Sequence, residues 1–461
     1  MSGAFSRQRG LALLLLLLVV FLGSAALLIE RLQPNTLQRR RDASSDAALA
    51  VAKEALLAYA LTCGEAHANK LPGYLPCPDS GTRGVNLHEG SADPPCGHKG
   101  VSVIGRLPWH QLGIEPPRDG SGECLWYAVA GAFKNDPAAD MLNWDSLGQL
   151  IVMAADGKGY VAGAVAEERA AAVIFAPGAP VGGQGRESST PAPLCGGNYR
   201  PENYLDAAGA WSNALVSPLA DAATTFVAGG AGVNDRLLVI TPREIFVAIQ
   251  RRADFQTQAR ERLRRLAGCI AAYGAHNRAG PGDRRLPWAA PLTLADYGDN
   301  DAYIDEPGRL AGRLPYRVAS SRAATANAMT TTALITSGNC PPPWTALDDE
   351  WYRNWKDQLF YAVAAAFTPA AQPPGACGNC LSVDHAGRYA AVLLFAGAKL
   401  AGQQRTTPGD KSLIASYLEE RNAASFANMA GNADFHSAPT GPLFNDIAYC
   451  IDVALAVAPC P

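Results

Sequence analysis

The chain has 461 residues, 48% hydrophobic and 18% charged, with a formal net charge of −3 at pH 7. This is ordinary globular composition with room for two or three domains, and a charge so near neutral argues against nucleic acid as a partner. Beyond the three arginines at 39–41, which read as flanking an apolar segment, there is no long block of like charge.

Residues Leu11 to Ile29 read LALLLLLLVVFLGSAALLI and carry no charge. At about 1.5 Å per helical residue this run covers a hydrocarbon core of roughly 30 Å. Only a helix satisfies its own backbone in lipid, so one transmembrane helix is expected over 11–29, behind a short basic tail at 1–10. Three readings of the junction compete: an uncut signal anchor, a removable secretory signal, and a leader ending at Gly10 with Leu11 as the mature start. The secretory signal fits worst, because its apolar region usually runs about 7–15 residues and this one continues to Ile29.

Residues 30–42 read as a polar linker broken by Pro34, after which Ser44 or Ser45 can cap a helix. Leu49, Ala52, Leu56, Tyr59 and Cys63 then recur at spacings of three and four, an apolar stripe on a helix ending near Gly64. Proline- and glycine-punctuated loops follow, with Leu125–Val129, Ile151–Ala154 and Ala171–Phe175 as strand candidates.

The basic tail ending in Gly10 before an apolar run, the Ala- and Leu-rich helix, and then Leu75-Pro76-Cys77-Pro78-Asp79, Gly105-Arg106-Leu107-Pro108-Trp109 and Tyr127-Ala128-Val129 resemble the type IV pilins and type II secretion pseudopilins. Most of that family carries a glutamate at the fifth mature residue; here Leu15 stands there, which likens the chain to the atypical pseudopilins found at a filament tip. The resemblance implies prepilin peptidase cleavage between Gly10 and Leu11, anchorage in a bacterial inner membrane, and pilin or secretion-system subunits as partners.

The second half repeats the first. Leu125–Phe133 returns as Leu359–Phe367 at seven of nine positions, and Arg169–Phe175 with Gln184 and Arg186 returns as Arg388–Leu394 with Gln403 and Arg405. Tyr204-Leu205-Asp206 returns as Tyr417-Leu418-Glu419, and Asn234-Asp235 as Asn445-Asp446. The second copy opens with its own stripe, Ala259, Leu263, Leu266, Ile270 and Tyr273. The expected fold is α+β: a transmembrane helix, then two repeated modules at 43–247 and 248–461, each a helix packed on a small antiparallel sheet with long loops. Tyr127 and Tyr361 should lie buried in equivalent places.

Eleven cysteines are many for a reducing compartment, and no pair of CxxC motifs organises them for zinc. Disulfides in an oxidising space fit better and place the bulk of the chain outside, in the periplasm or at the cell surface. They carry that assignment because Arg7 and Arg9 are answered by Arg31 and the arginines at 39–41, which blunts the positive-inside bias. Cys377-Gly-Asn-Cys380 reads as a structural bridge, and the odd count leaves one thiol free or paired outside the chain.

Chemistry is sparse. There is no GxSxG, HExxH or Walker loop, and Gly182–Gly185 lacks the lysine and spacing of a phosphate cradle, so it reads as a turn. The seven histidines never pair at helical spacing. Asp296, Asp299, Asp301 and Asp305 form the one suggestive cluster, a candidate calcium loop without EF-hand spacing; the family resemblance adds that some pseudopilins hold calcium in such a loop. No other cofactor and no catalytic residue is indicated. The functional expectation is a structural or assembly role, with an adhesin-like envelope binding protein as the alternative and an anchored hydrolase as a third reading that no motif supports.

Overall fold

The computed structural model describes residues 13–22, 24, 34–66, 70–81, 88–187, 194–230, 232–276, 284–319, 333–373, 375, 377–378, 380–429 and 433–461. Gly10 and Leu11, and with them the cleavage junction, lie outside the described residues. Helix α1, Leu13–Leu22, is apolar throughout, and each of its large side chains is at least half exposed.

Helix α2 spans Pro34–Ala66, so it starts ten residues before the expected serine cap and takes up most of the expected 30–42 linker. Pro34 occupies the first helical position, where a missing N–H costs nothing and a fixed φ suits the helix. Tertiary contacts then hold the early turns. Arg236 pairs with Asp46 at 2.6 Å and Asp42 at 3.6 Å, and the Ser45 hydroxyl accepts the Gly120 N–H at 2.9 Å instead of capping. The stripe residues Leu49, Ala52, Leu56, Tyr59 and Cys63 are all buried. By length and mean hydropathy, 1.4 over its richest window, Thr36–Glu65 of α2 would also pass as a membrane span. Its apolar face is spent on the core, whereas that of α1 is not.

The first half is built on a sheet of order β1-β2-β5-β9: Val103–Arg106, Trp126–Val129, Ala172–Ala176 and Arg236–Ile240, antiparallel throughout. Helix α2 lies on β5 and β9. A smaller sheet of β3 (Leu150–Ala154), β4 (Tyr160–Ala162) and β8 (Thr224–Ala228) joins β3 to β8 in parallel, and a two-residue hairpin pairs β6 (Ala207–Ala208) with β7 (Trp211–Ser212). Phe226 of β8 meets Phe175 of β5 edge to face at 5.0 Å. With α2 on β5 and aromatic contacts from β8, β2 and β5 are buried along their whole length, which explains their continuous apolar runs.

Helix α3 (Pro242–Gln250), capped by Thr241 and Glu244, leads to α4 (Phe255–His276); the expected division at 247/248 falls inside α3. All five α4 stripe residues are buried. The second sheet runs β10 (Ala311–Arg313), β11 (Leu359–Val363), β13 (Ala386–Phe395), β12 (Leu381–Val383), β14 (Asp434–Phe435), with β15 (Ile447–Asp452) pairing β13 and β16 (Val457–Pro459). It is larger than expected, and β12 with β14 makes a parallel pair in it. Helix α4 packs on β13, β15 and β16. Tyr127 sits opposite Gly105, and its hydroxyl donates to the Pro76 carbonyl at 3.2 Å; Tyr361 sits opposite Gly312 and donates to Pro287 at 3.1 Å. Both tyrosines are fully buried.

One apolar core runs through both halves. At their junction Trp144 contacts Trp355 of helix α5 (Ala346–Trp355) at 4.5 Å, with Phe395 at 5.5 Å and Phe255 at 6.1 Å. Asn354, fully buried, accepts from the Tyr74 hydroxyl at 3.1 Å and the Leu142 N–H at 2.6 Å, so α5 is bonded to the first half.

Five disulfides pair Cys77 with Cys96, Cys124 with Cys195, Cys269 with Cys340, Cys377 with Cys380 and Cys450 with Cys460. Cys63 alone is unpaired; it is buried on α2, and burial pushes its thiol up to about 11. Titration of the denatured, unreduced chain should find one thiol, that of Cys63; ten or eleven would place the chain in a reducing compartment. In denaturant, Leu56→Ala and Leu263→Ala should each cost about 2–5 kcal/mol, whereas Leu17→Ala in the exposed α1 should leave the midpoint unchanged.

Candidate functional site

The acidic loop is not gathered around a point. Asp296 accepts the Gly298 N–H at 2.7 Å and Asp299 accepts the Asp301 N–H at 2.9 Å, both local turn closures. Asp301 faces Arg317 at 3.6 Å, and Asp305 is buried and accepts the Ala319 N–H at 2.9 Å. Among the described residues no three His, Cys, Asp or Glu side chains are placed together as a metal ion requires. Gly182–Gly185 turns the chain after β5 so that Gln184 reaches the carboxylate of Asp206 at 2.9 Å.

Two histidines do enter a polar cluster that spacing concealed. His436 meets Asp384 at 2.7 Å, His385 meets Asp434 at 2.8 Å, and Arg421 reaches both carboxylates, at 2.8 and 3.3 Å. These residues come from the turn between β12 and β13, from β14 and the residue after it, and from helix α6 (Glu420–Ala427), so only the tertiary fold unites them. His385 is largely exposed, and the cluster ties a turn to a helix.

A concave site of about 500 Å³ opens between the halves. Its walls are Trp144–Leu147 and Glu167–Glu168 from the first half, one face of α3, and Ala398–Lys399 with Arg405–Thr406 from the second. The volume is that of an ordinary small-ligand cleft. At its inner end the Asp145 carboxylate accepts from the Gln358 amide and, at 3.4 Å, from Arg405; both charged groups are almost fully buried. Burial pushes the Asp145 carboxyl above its ordinary range, and Arg405 opposes that push. At the rim the Thr406 hydroxyl donates to Glu167, joining the halves and holding that carboxyl below its usual range. Trp144 brings an indole N–H that is buried without an acceptor among the described residues.

The cleft therefore presents an aromatic wall and charges of both signs in Arg243, Lys399, Glu167 and Glu168. This equipment suits binding. The Asp145 pairing was not legible beforehand, because its partners come from the far half of the chain. No family model, no curated protein and no solved structure matches the chain.

Removing one partner of a buried ion pair strands the other, so Asp145→Ala should cost about 3–5 kcal/mol in unfolding free energy. Thr406→Val, at the exposed rim, should cost under about 1 kcal/mol. Equal costs would show that the inner end of the cleft is solvated.

Proposed function

We propose that the chain is a membrane-anchored, outward-facing, pilin-like protein of the bacterial inner membrane, with a structural or assembly role in a pilus or type II secretion-like apparatus. The observation that carries it is the contrast between α1, apolar and bare, and the disulfide-linked fold that follows. An N-terminal apolar helix can span a membrane, and five disulfides suit an oxidising compartment. The second support is a long helix laid on an antiparallel sheet, the arrangement expected of the pilin-like resemblance.

The chain is further read as two copies of one module. The supports are a four-strand antiparallel path common to the two sheets, β1-β2-β5-β9 and β10-β11-β13-β15, the equivalent tyrosine bonds and the recurrence of one polar motif. Gln184 and Gln403 each bond an arginine and an acid, and Asn234 and Asn445 each donate to a carbonyl three residues past the end of a strand, that of Ala179 after β5 and that of Ala398 after β13. Gly178 and Gly397 make room for those asparagines, since a Cβ would come within 2.9 and 2.0 Å of them. A binding role is the second reading, favoured by the junction cleft with its aromatic wall and charges of both signs.

Leu15 in place of the family glutamate removes the carboxylate that would attract a neighbouring subunit's N-terminal amine in low dielectric, so a minor or tip position is the consistent version. N-terminal sequencing of the membrane-extracted protein is the test. A start at Leu11, abolished by Gly10→Trp, is the expected result; a start at Met1 or Ser2 leaves an uncut anchored envelope protein and removes the pilin-like reading.

A further inference from the structure

Each half buries two acids side by side. Asp206 and Asp235 in the first, and Glu419 and Asp446 in the second, are all less than a tenth exposed. Their donors follow one plan. The outer acids are saturated: Asp206 accepts from the Gln184 amide at 2.9 Å and the Asn234 N–H at 2.7 Å, and Glu419 from the Gln403 amide and the Asn445 N–H, both at 3.1 Å. The inner acids use only Oδ2. That of Asp235 accepts from the Asp206 N–H at 2.8 Å and Asn213 at 2.9 Å; that of Asp446 accepts from the Glu419 N–H at 3.3 Å and Asn422 at 2.9 Å.

Oδ1 of Asp235 and Oδ1 of Asp446 are left over. Both are buried, and no donor among the described residues reaches either. A buried carboxylate oxygen with no donor is costly, and here the same oxygen is bare in both halves. Glu419 lies beside Asp446, and its charge adds to the cost of ionising the buried Asp446 carboxyl. The facing charges do not neutralise the pairs. Asp235 faces Asp206 and Arg186, but Arg186 is also engaged by Glu123 at 2.9 Å; Arg405 reaches the second pair only through Gln403.

We propose that each half holds one proton on its acid pair, carried by Oδ1 of Asp235 and of Asp446, and that these two protons form a pH-sensitive lock. The lock joins the loop ending in Asp206 or Glu419 to the start of β9 or β15, the strands on which α2 and α4 pack. Burial pushes Asp235 up to about 7, with the neighbouring Asp206 adding to the rise, and burial with Glu419 drives Asp446 well above the ordinary carboxylate range. The folded chain thus keeps protons that the unfolded chain releases. The stabilisation is full below the unfolded value of 3.8 and is lost as pH rises through about 7 at Asp235, with the loss at Asp446 also on the alkaline side of the ordinary range. A mildly acidic medium tightens both sheets, and an alkaline one loosens them.

The test compares the full-length chain in detergent with Asp235→Asn, Asp446→Asn and the double variant, in which an amide N–H replaces the proton permanently. Thermal midpoints are read at about pH 5 and about pH 8. The native chain should melt lower at the alkaline pH, and the double variant should lose most of that difference while matching or exceeding the native midpoint at pH 8. A double variant with the native pH dependence, or one equally destabilised at both pH values, overturns the proposal. Infrared spectroscopy near pH 6 reads the same point directly: the native chain should show a carbonyl band of un-ionised carboxylic acid that the double variant loses, and a band unchanged in the double variant, or absent from the native chain, contradicts the lock.

Discussion

A guanidinium buried in a protein interior needs acceptors for all its N–H groups, and that demand fixes the backbone around it. Arg186 and Arg405 impose it here. Arg405 donates to the carbonyls of Ser416 at 2.6 Å, Gly397 at 2.9 Å and Tyr417 at 3.4 Å, and to Gln403 at 2.9 Å. Arg186 donates to Asn203 at 3.0 Å, Gly178 at 2.8 Å, Tyr204 at 3.4 Å and Gln184 at 2.8 Å. Each also lies over a tyrosine ring, Tyr417 at 4.5 Å or Tyr204 at 4.8 Å. The exit of β5 or β13, the glutamine turn and the short helical turn before Asp206 or Glu419 thereby become one unit. Through the glutamine that unit reaches the acid pair, and through the acid pair the last main strand.

The places where the halves part company are where they meet. Arg186 spends its remaining donor on Glu123, inside its own half. Arg405 reaches instead to Gln358 at 3.0 Å and across the junction to Asp145, so the same residue type that closes one half welds the second to the first. The disulfides diverge as well: Cys124–Cys195 ties the first half's strand entry to a loop, whereas Cys269–Cys340 ties α4 to the segment before α5. On the duplication reading, shared residues hold each module together and unshared ones build the cleft.

Periodicity exposed much of this fold in the sequence. The stripes from Leu49 and Ala259 are helices because an apolar residue every three or four positions has one place to go. Leu125–Val129 and Ile151–Ala154 are strands because short apolar runs bounded by Gly and Pro cannot be much else. What spacing missed was set at long range. Pro34 and the polar stretch around it read as a linker up to residue 42, yet Arg236, nearly two hundred residues on, holds the Asp42 and Asp46 face of a helix that already runs through it. The match of Asn234-Asp235 with Asn445-Asp446 was visible as letters, but its chemistry was not, because the asparagines that bond the two inner acids, Asn213 in a turn after β7 and Asn422 in helix α6, share no sequence pattern. Asp145 had no signal at all, since its meaning depends on an arginine 260 positions away.

The central claim is that one polar node is used twice, and exchanging the two outer acids tests it directly. If the nodes are equivalent, Asp206→Glu combined with Glu419→Asp should cost no more than about 1.5 kcal/mol in denaturant unfolding, while Asp206→Ala or Glu419→Ala should each cost about 3–5 kcal/mol. An exchange as costly as the alanine variants, or an alanine variant that is silent in one half and severe in the other, would contradict the account.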